Sequence, residues 1–264
     1  MMLTHAAPAR EVDAPQLASW QTTHPWRWAI AVGVGGTLLT AFGVGFSQVL
    51  DLGPAESTLF QAGFIGLSAL VGLVIMWRTR PPLSHYGFRR PANLDRTLWL
   101  LPLAVVPVIV LILSGIHVSP AAAGAFAVFA IAVGFNEEIW FRGLLLAALR
   151  SLGERRAVVA GSIVFGALHL TNLFTGQPPL YVALQFALAC LAGLVLAELV
   201  AITGSLWIGI GWHLVYDLVA LSSGDGMSTR DLFGAALMTA ILGGYAIWLW
   251  RHVPATKPQF AQVS

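Results

Sequence analysis

The chain has 264 residues, of which 57% are hydrophobic and 10% charged, where a soluble globular domain carries about 25% charged residues. With a mean hydropathy of +0.78, this composition excludes an ordinary soluble domain, and the net charge of +2 gives no argument for a nucleic-acid partner. The lone cysteine, Cys190, excludes an intrachain disulfide framework and a cysteine-based metal cluster.

Residues 1–26 carry Arg10, Glu11, Asp13 and Pro15 and no apolar core of signal-peptide length, so they read as a cytoplasmic N-terminal segment before a retained anchor. Eight apolar runs follow, at 27–49, 58–77, 97–115, 121–150, 156–172, 180–201, 205–222 and 231–250. A hydrocarbon core of about 30 Å needs about 20 residues of helix. The runs therefore predict an all-α fold, a polytopic integral membrane bundle of about eight transmembrane helices. No internal repeat and no long linker divides them, so 27–250 reads as one membrane domain and 251–264 as a cytoplasmic tail.

Basic residues near span ends collect on the cytoplasmic side. Arg78, Arg80, Arg89, Arg90 and Arg96 flank the second connection, Arg150, Arg155 and Arg156 the fourth, and Arg251 and Lys257 follow the last span. Eight crossings then put both termini in the cytoplasm, in agreement with Arg10 and Arg27. The Arg-rich second connection also offers a surface to anionic lipid head groups.

Against this background the stretch "GFNEEIWFRGLLL", residues 134–146, places three charges inside an apolar run. Counting about 1.5 Å of rise per residue from Arg150, Glu137 lies roughly 20 Å along the fourth span. His169 lies a similar ~20 Å above Arg156, and His213 and Asp217 about 12 and 18 Å above Ser205. Four ionisable residues from three helices share one slab near the bilayer middle. Exposed to lipid, each charge would cost about 2.5 kcal/mol or more, so they are expected to face an interior cavity.

Residues four apart on a helix share a face. Glu138 and Arg142 form such a pair, which leaves Glu137, about 100° around the axis, available. His213 and Asp217 are likewise four apart, and Phe165 sits one turn from His169. A carboxylate in a dry pocket can serve as general base, with imidazoles sharing or donating a proton. Taken singly, the Glu138–Arg142 pair reads as structural support, His169 as an interhelical hydrogen bonder, and His213 beside Trp212 as a packing residue. Their coincidence at one depth favours a functional site. Glu198, at the end of the sixth run, reads as structural and able to reach interfacial water. Trp26, Trp28, Trp77, Trp99, Trp207, Trp248 and Trp250 read as interfacial anchors, and Trp140 and Trp212 as core packing.

The combination resembles a known family. "EEIWFR" matches a Glu-Glu-x-x-x-Arg motif, "FGALH" a Phe-x-x-x-His motif and "HLVYD" a His-x-x-x-Asn/Asp motif of the CPBP intramembrane proteases, over about residues 120–222. That family includes the type II CAAX prenyl endopeptidases and relatives linked to bacteriocin processing and self-immunity. The resemblance implies peptide-bond hydrolysis inside the membrane, with catalytic residues Glu137, His169, His213 and Asp217 and with Glu138 and Arg142 in support. Glu137 and His169 would activate water, and His213 with residue 217 would stabilise the oxyanion. Position 217 is Asp where the prenyl endopeptidases have Asn, and a carboxylate donates to an oxyanion only when protonated. Asp217 would then orient His213 as an acceptor.

The expected cofactor is none. Zinc held by Glu137, His169, His213 and Asp217 is the alternative, although no His-Glu-x-x-His motif is present. A proton-coupled transporter and a catalytically silent immunity or scaffold protein are the readings from other classes. The expected partners are a peptide or membrane-protein substrate and membrane lipid, with no nucleic acid, in what reads as a bacterial cell membrane.

Overall fold

The computed structural model describes residues 24–79, 81–92, 99–224 and 228–256. Most of the expected N-terminal segment and residues 257–264 of the expected tail lie outside the described residues. All regular elements among them are helical: α1 (Pro25–Val49), α2 (Pro54–Arg78), α3 (Leu101–Ser114), α4 (Pro120–Glu137), α5 (Glu154–His169), α6 (Pro179–Thr203), α7 (Trp207–Ser223) and α8 (Thr229–Trp250). α4 continues without a break through a π-helical stretch, Glu138–Leu145, and one more α-helical turn, Leu146–Leu149.

The helix starts follow from local chemistry. Proline opens α1, α2, α4 and α6, where its missing N–H is no loss and its fixed φ suits the first turn. Ser119 caps α4 by accepting from the Ala122 N–H at 3.3 Å. Ser228 and Asp231 form a reciprocal capping box at the start of α8.

Six described helical segments are long and apolar enough to cross a membrane: Pro25–Val49, Pro54–Arg78, Ala122–Leu152, Glu154–Phe174, Pro179–Thr203 and Thr229–Trp250. The expected count of about eight is not confirmed among the described residues. Helices stand where the third and seventh spans are expected, but α3 has 14 residues and α7 has 17. Gly115, at φ 75°, and Gly224, at φ 81°, follow the last residues of these two helices. Residues 205–206, counted in the seventh run, belong to the turn before α7.

Contacts between connections sort the helix ends into two groups. At one end Arg155 donates to the carbonyl oxygens of Trp250 and Val253, and the α2–α3 connection docks on the turn between α6 and α7. Leu206 N–H donates to Gly87 O at 2.9 Å and Ala92 N–H to Thr203 O at 3.0 Å. At the other end Ser114 Oγ donates to Asp231 and His117 N–H to Ser222 O. Two apolar clusters fill the interior. One gathers Trp140, Leu144, Leu145, Phe165 and Leu206, and the other gathers Leu103, Leu196, Trp212 and Tyr245. Trp140 donates to Ser68 O and Trp212 to Leu103 O, so both indoles are packed and satisfied.

Candidate active site

The charged stretch at the end of α4 is buried throughout: every residue from Glu138 to Leu145 is shielded from solvent. It is also where the backbone leaves the α-helical pattern. π-helical turns are rare and concentrate at functional sites. The uniform 100° step assumed from sequence does not hold here, yet the expected pair forms, with Arg142 Nη1 3.1 Å from Glu138 Oε1. Arg142 also lies over the Phe165 ring, 4.1 Å from its centroid, so its charge meets a π face as well as a carboxylate.

α7 brings His213 against this stretch. Two glycines permit the approach: a Cβ on Gly134 would press on Ile210 O and His213 Cβ at 3.1 and 3.3 Å, and one on Gly209 would collide with the Glu138 carboxylate. His213 consequently sits between two glutamates, with Nε2 3.4 Å from Glu137 Oε2 and Nδ1 3.2 Å from Glu138 Oε1. His213 and Glu138 are buried, while the Glu137 side chain keeps 21% exposure. Glu137 is the carboxylate that an incoming molecule can reach.

Asp217 lies close enough to His213 and Glu137 for their charges to interact. Its buried Oδ2 has no hydrogen-bond partner among the described residues. Glu138, and not Asp217, faces the second imidazole nitrogen of His213. Both ring nitrogens of His213 are faced by glutamates, and Asp217 keeps one oxygen without a hydrogen-bond partner among the described residues.

His169 closes α5. Its Nδ1 is 3.0 Å from the Phe165 carbonyl oxygen, an acceptor, so Nδ1 carries the proton and Nε2 of the neutral ring keeps its lone pair. The His169 ring meets Phe165 edge-on at 4.9 Å, and Phe165 in turn stands 6.3 Å from the His213 ring. His169 and Glu137 share no hydrogen bond or ion pair among the described residues. Beyond His169 the chain tightens into a 3-10 segment, Leu170–Thr175, tied to α6 by the Asn172–Gln185 hydrogen bond of 2.7 Å.

Among the described residues, no three His, Cys, Asp or Glu side chains are grouped as ligands of one metal ion. Glu198 differs from its expected place at the water interface. It is fully buried, neither carboxylate oxygen has a hydrogen-bond partner, and the Tyr245 hydroxyl near it has none either. α6 continues to Thr203 and α8 covers it, so the end of the apolar run is not the edge of the protein.

Residues 119–219, which contain all of these site residues, match the family model described as Type II CAAX prenyl endopeptidase Rce1-like. Residues 119–219 are thus similar to the type II CAAX prenyl endopeptidases. The Rce1-like family is one of peptide-bond hydrolases acting on peptide or protein substrates. Together with the apolar helices, the match supports an integral membrane protein, and the matched region runs from the Ser119 cap of α4 into α7. No curated protein matches the chain.

Proposed function

We propose that the protein hydrolyses a peptide bond of a peptide or membrane-protein substrate with water activated by Glu137 and His169. The observation that carries this reading is the His213 imidazole held at 3.4 and 3.2 Å between an accessible and a buried glutamate. The partly exposed Glu137 accepts a proton from water, and the resulting hydroxide attacks the scissile carbonyl carbon. His169 Nε2, left with its lone pair by the Nδ1 contact, orients that water. An N–H of His213 donates to the oxyanion that develops on the carbonyl oxygen. Glu137 then returns its proton to the amide nitrogen as the C–N bond breaks. Arg142 offsets the charge of Glu138, and Glu138 fixes the ring of His213. Both termini face the cytoplasm, no cofactor is needed, and the substrate meets the site from the surrounding membrane.

The test is cleavage of quenched fluorogenic peptides and membrane-protein tails by the purified protein in detergent, with and without a chelator, beside Glu137→Gln. The amide keeps the size of the side chain but cannot take up the proton of water, so turnover is expected to vanish while the variant stays folded and monodisperse. Undiminished turnover by Glu137→Gln refutes the general-base role. Loss of wild-type turnover with the chelator, restored by zinc, refutes the metal-free reading.

A further inference from the structure

A second polar feature lies at the arginine-rich end of the bundle. Arg150 is 13 residues beyond Glu137 in the sequence, about 20 Å along a helix. There the α2–α3 connection closes a cavity of about 140 Å³ lined by Ser84, His85, Gly87, Arg89, Arg150 and the end of α6 at Val200 and Gly204, with Tyr86 completing the wall. Two guanidinium groups and an imidazole take part in this lining and no carboxylate does.

Glu154 pairs with Arg150, but the hydrogen bonds leave donors of both guanidinium groups uncommitted. Arg89 Nε donates to Gly204 O at 2.8 Å, and Arg150 Nε donates to Glu154 at 3.0 and 3.1 Å. Neither guanidinium group makes a further hydrogen bond among the described residues, so the terminal nitrogens of both forks remain for a ligand. The buried His85 Nε2 likewise has no partner. Burial, and next to it the positive charge of Arg150, hold the His85 imidazole below its ordinary pKa. Arg150 is paired with Glu154, whereas Arg89 has no carboxylate partner among the described residues, so an anion in the cavity would meet an uncompensated guanidinium. A planar guanidinium fork suits the tetrahedral oxygens of phosphate.

The position says where such an anion comes from. Trp77, at the end of α2, is 70% exposed, and Leu83 and Trp207 are also exposed. Arg78, Arg155 and Arg251 stand at helix ends of the same group. Exposed tryptophan beside arginine at helix ends marks the level of lipid head groups.

We propose that this cavity binds the phosphate of an anionic phospholipid head group. The bound phosphate braces three elements: the end of α4 through Arg150, the α2–α3 connection through Arg89 and His85, and the α6–α7 turn through Gly204. That turn leads directly into the helix of His213 and Asp217. The lipid therefore stabilises the folded protein without touching the reacting groups, independently of the protease reading.

The experiment uses the full-length protein in a neutral detergent, with thermal unfolding and native mass spectrometry as readouts. The probes are dihexanoyl phosphatidylglycerol, dihexanoyl phosphatidylcholine and inorganic phosphate. Phosphatidylglycerol is expected to raise the unfolding midpoint and to be retained in the mass spectrum, more than phosphatidylcholine. Loss of one charge-assisted contact in Arg89→Gln is expected to weaken its binding about tenfold. Arg230→Gln, which removes the same charge at the opposite end, leaves binding unchanged. His85→Leu, which spares both arginine contacts, is expected to weaken binding less and keeps the test open if Arg89→Gln does not fold. Equal responses to the two lipids, or binding indifferent to both cavity variants, overturn the proposal. Saturation by inorganic phosphate at the same concentrations overturns the lipid source and assigns the cavity to a free phosphate.

Discussion

Glu138, on the π-helical extension of α4, reaches α7 and places its Oε1 3.2 Å from Nδ1 of His213, while the same oxygen stands 3.1 Å from Arg142 Nη1. A residue that sequence spacing assigns to a local i,i+4 pair is thus also the contact that fixes a histidine on another helix. Neither contact has hydrogen-bond alignment, since Glu138 Oε1, Arg142 Nη1 and His213 Nδ1 remain without hydrogen-bond partners. The cluster is held by charge proximity inside an apolar shell, where each charge depends on the others.

Removing the cation is therefore expected to be worse than removing the pair. Arg142→Ala leaves Glu138 buried and uncompensated, at a cost of about 3–5 kcal/mol. The loss appears as reduced folded yield and a lower unfolding midpoint in detergent. The double replacement Glu138→Gln with Arg142→Met removes both charges and is expected to recover part of that stability. It does not recover turnover, because His213 has lost the partner of its Nδ1. A midpoint for Arg142→Ala equal to that of the wild type contradicts this account.

Gly209 gives a sharper test of the same contact. A methyl group there collides with the Glu138 carboxylate, so Gly209→Ala must push that side chain off His213 or part α7 from α4. Overpacking of this kind costs about 1–3 kcal/mol. Turnover is expected to fall by more than the loss of folded protein explains. Gly211→Ala, on the same helix and with open space at its Cβ, is the control and is expected to leave both unchanged. Equal behaviour of the two variants refutes the role of the α4–α7 approach.

Much of the helical layout is legible in the sequence because apolar runs of membrane length are a strong signal, whereas the length of each helix is not. The third run, 97–115, begins four residues before α3 at Leu101, and the seventh, 205–222, begins two residues before α7 at Trp207. The membership of Glu137, His213 and Asp217 in one cluster is legible as depth along a helix, which needs only the rise per residue. The position of His213 between Glu137 and Glu138 is not, because it depends on how α4 and α7 are turned toward one another. The π-helical turns are hidden for a similar reason. They accompany the close approach of distant residues, among them Ile139 and Trp140 against Gly72. Glu198 misleads because the end of an apolar run resembles an interface until α8 is known to lie across it.

That buried glutamate carries its own prediction. With both oxygens lacking hydrogen-bond partners, Glu198 bears a desolvation cost of about 1–3 kcal/mol that no contact returns. Glu198→Met replaces it by an apolar chain of similar length and is expected to raise the unfolding midpoint in detergent. A lower midpoint means that the carboxyl group stabilises the fold, through Tyr245 or otherwise.

Asp217 is the site residue whose chemistry the geometry leaves most open to experiment. Both nitrogens of His213 are faced by glutamates, and the Asp217 Oδ2 is buried beside Glu137 and His213 without a hydrogen-bond partner among the described residues. If its part is to offer a hydrogen bond to the oxyanion, Asp217→Asn keeps a donor of the same size and retains measurable turnover, while Asp217→Leu loses most of it. If it serves as a metal ligand, the neutral amide binds far more weakly, and Asp217→Asn loses metal and activity together. Elemental analysis of the wild type and of Asp217→Asn, set beside their turnover, separates the two. Stoichiometric zinc in the wild type, lost together with turnover in Asp217→Asn, would overturn the glutamate mechanism in favour of a metal-assisted one.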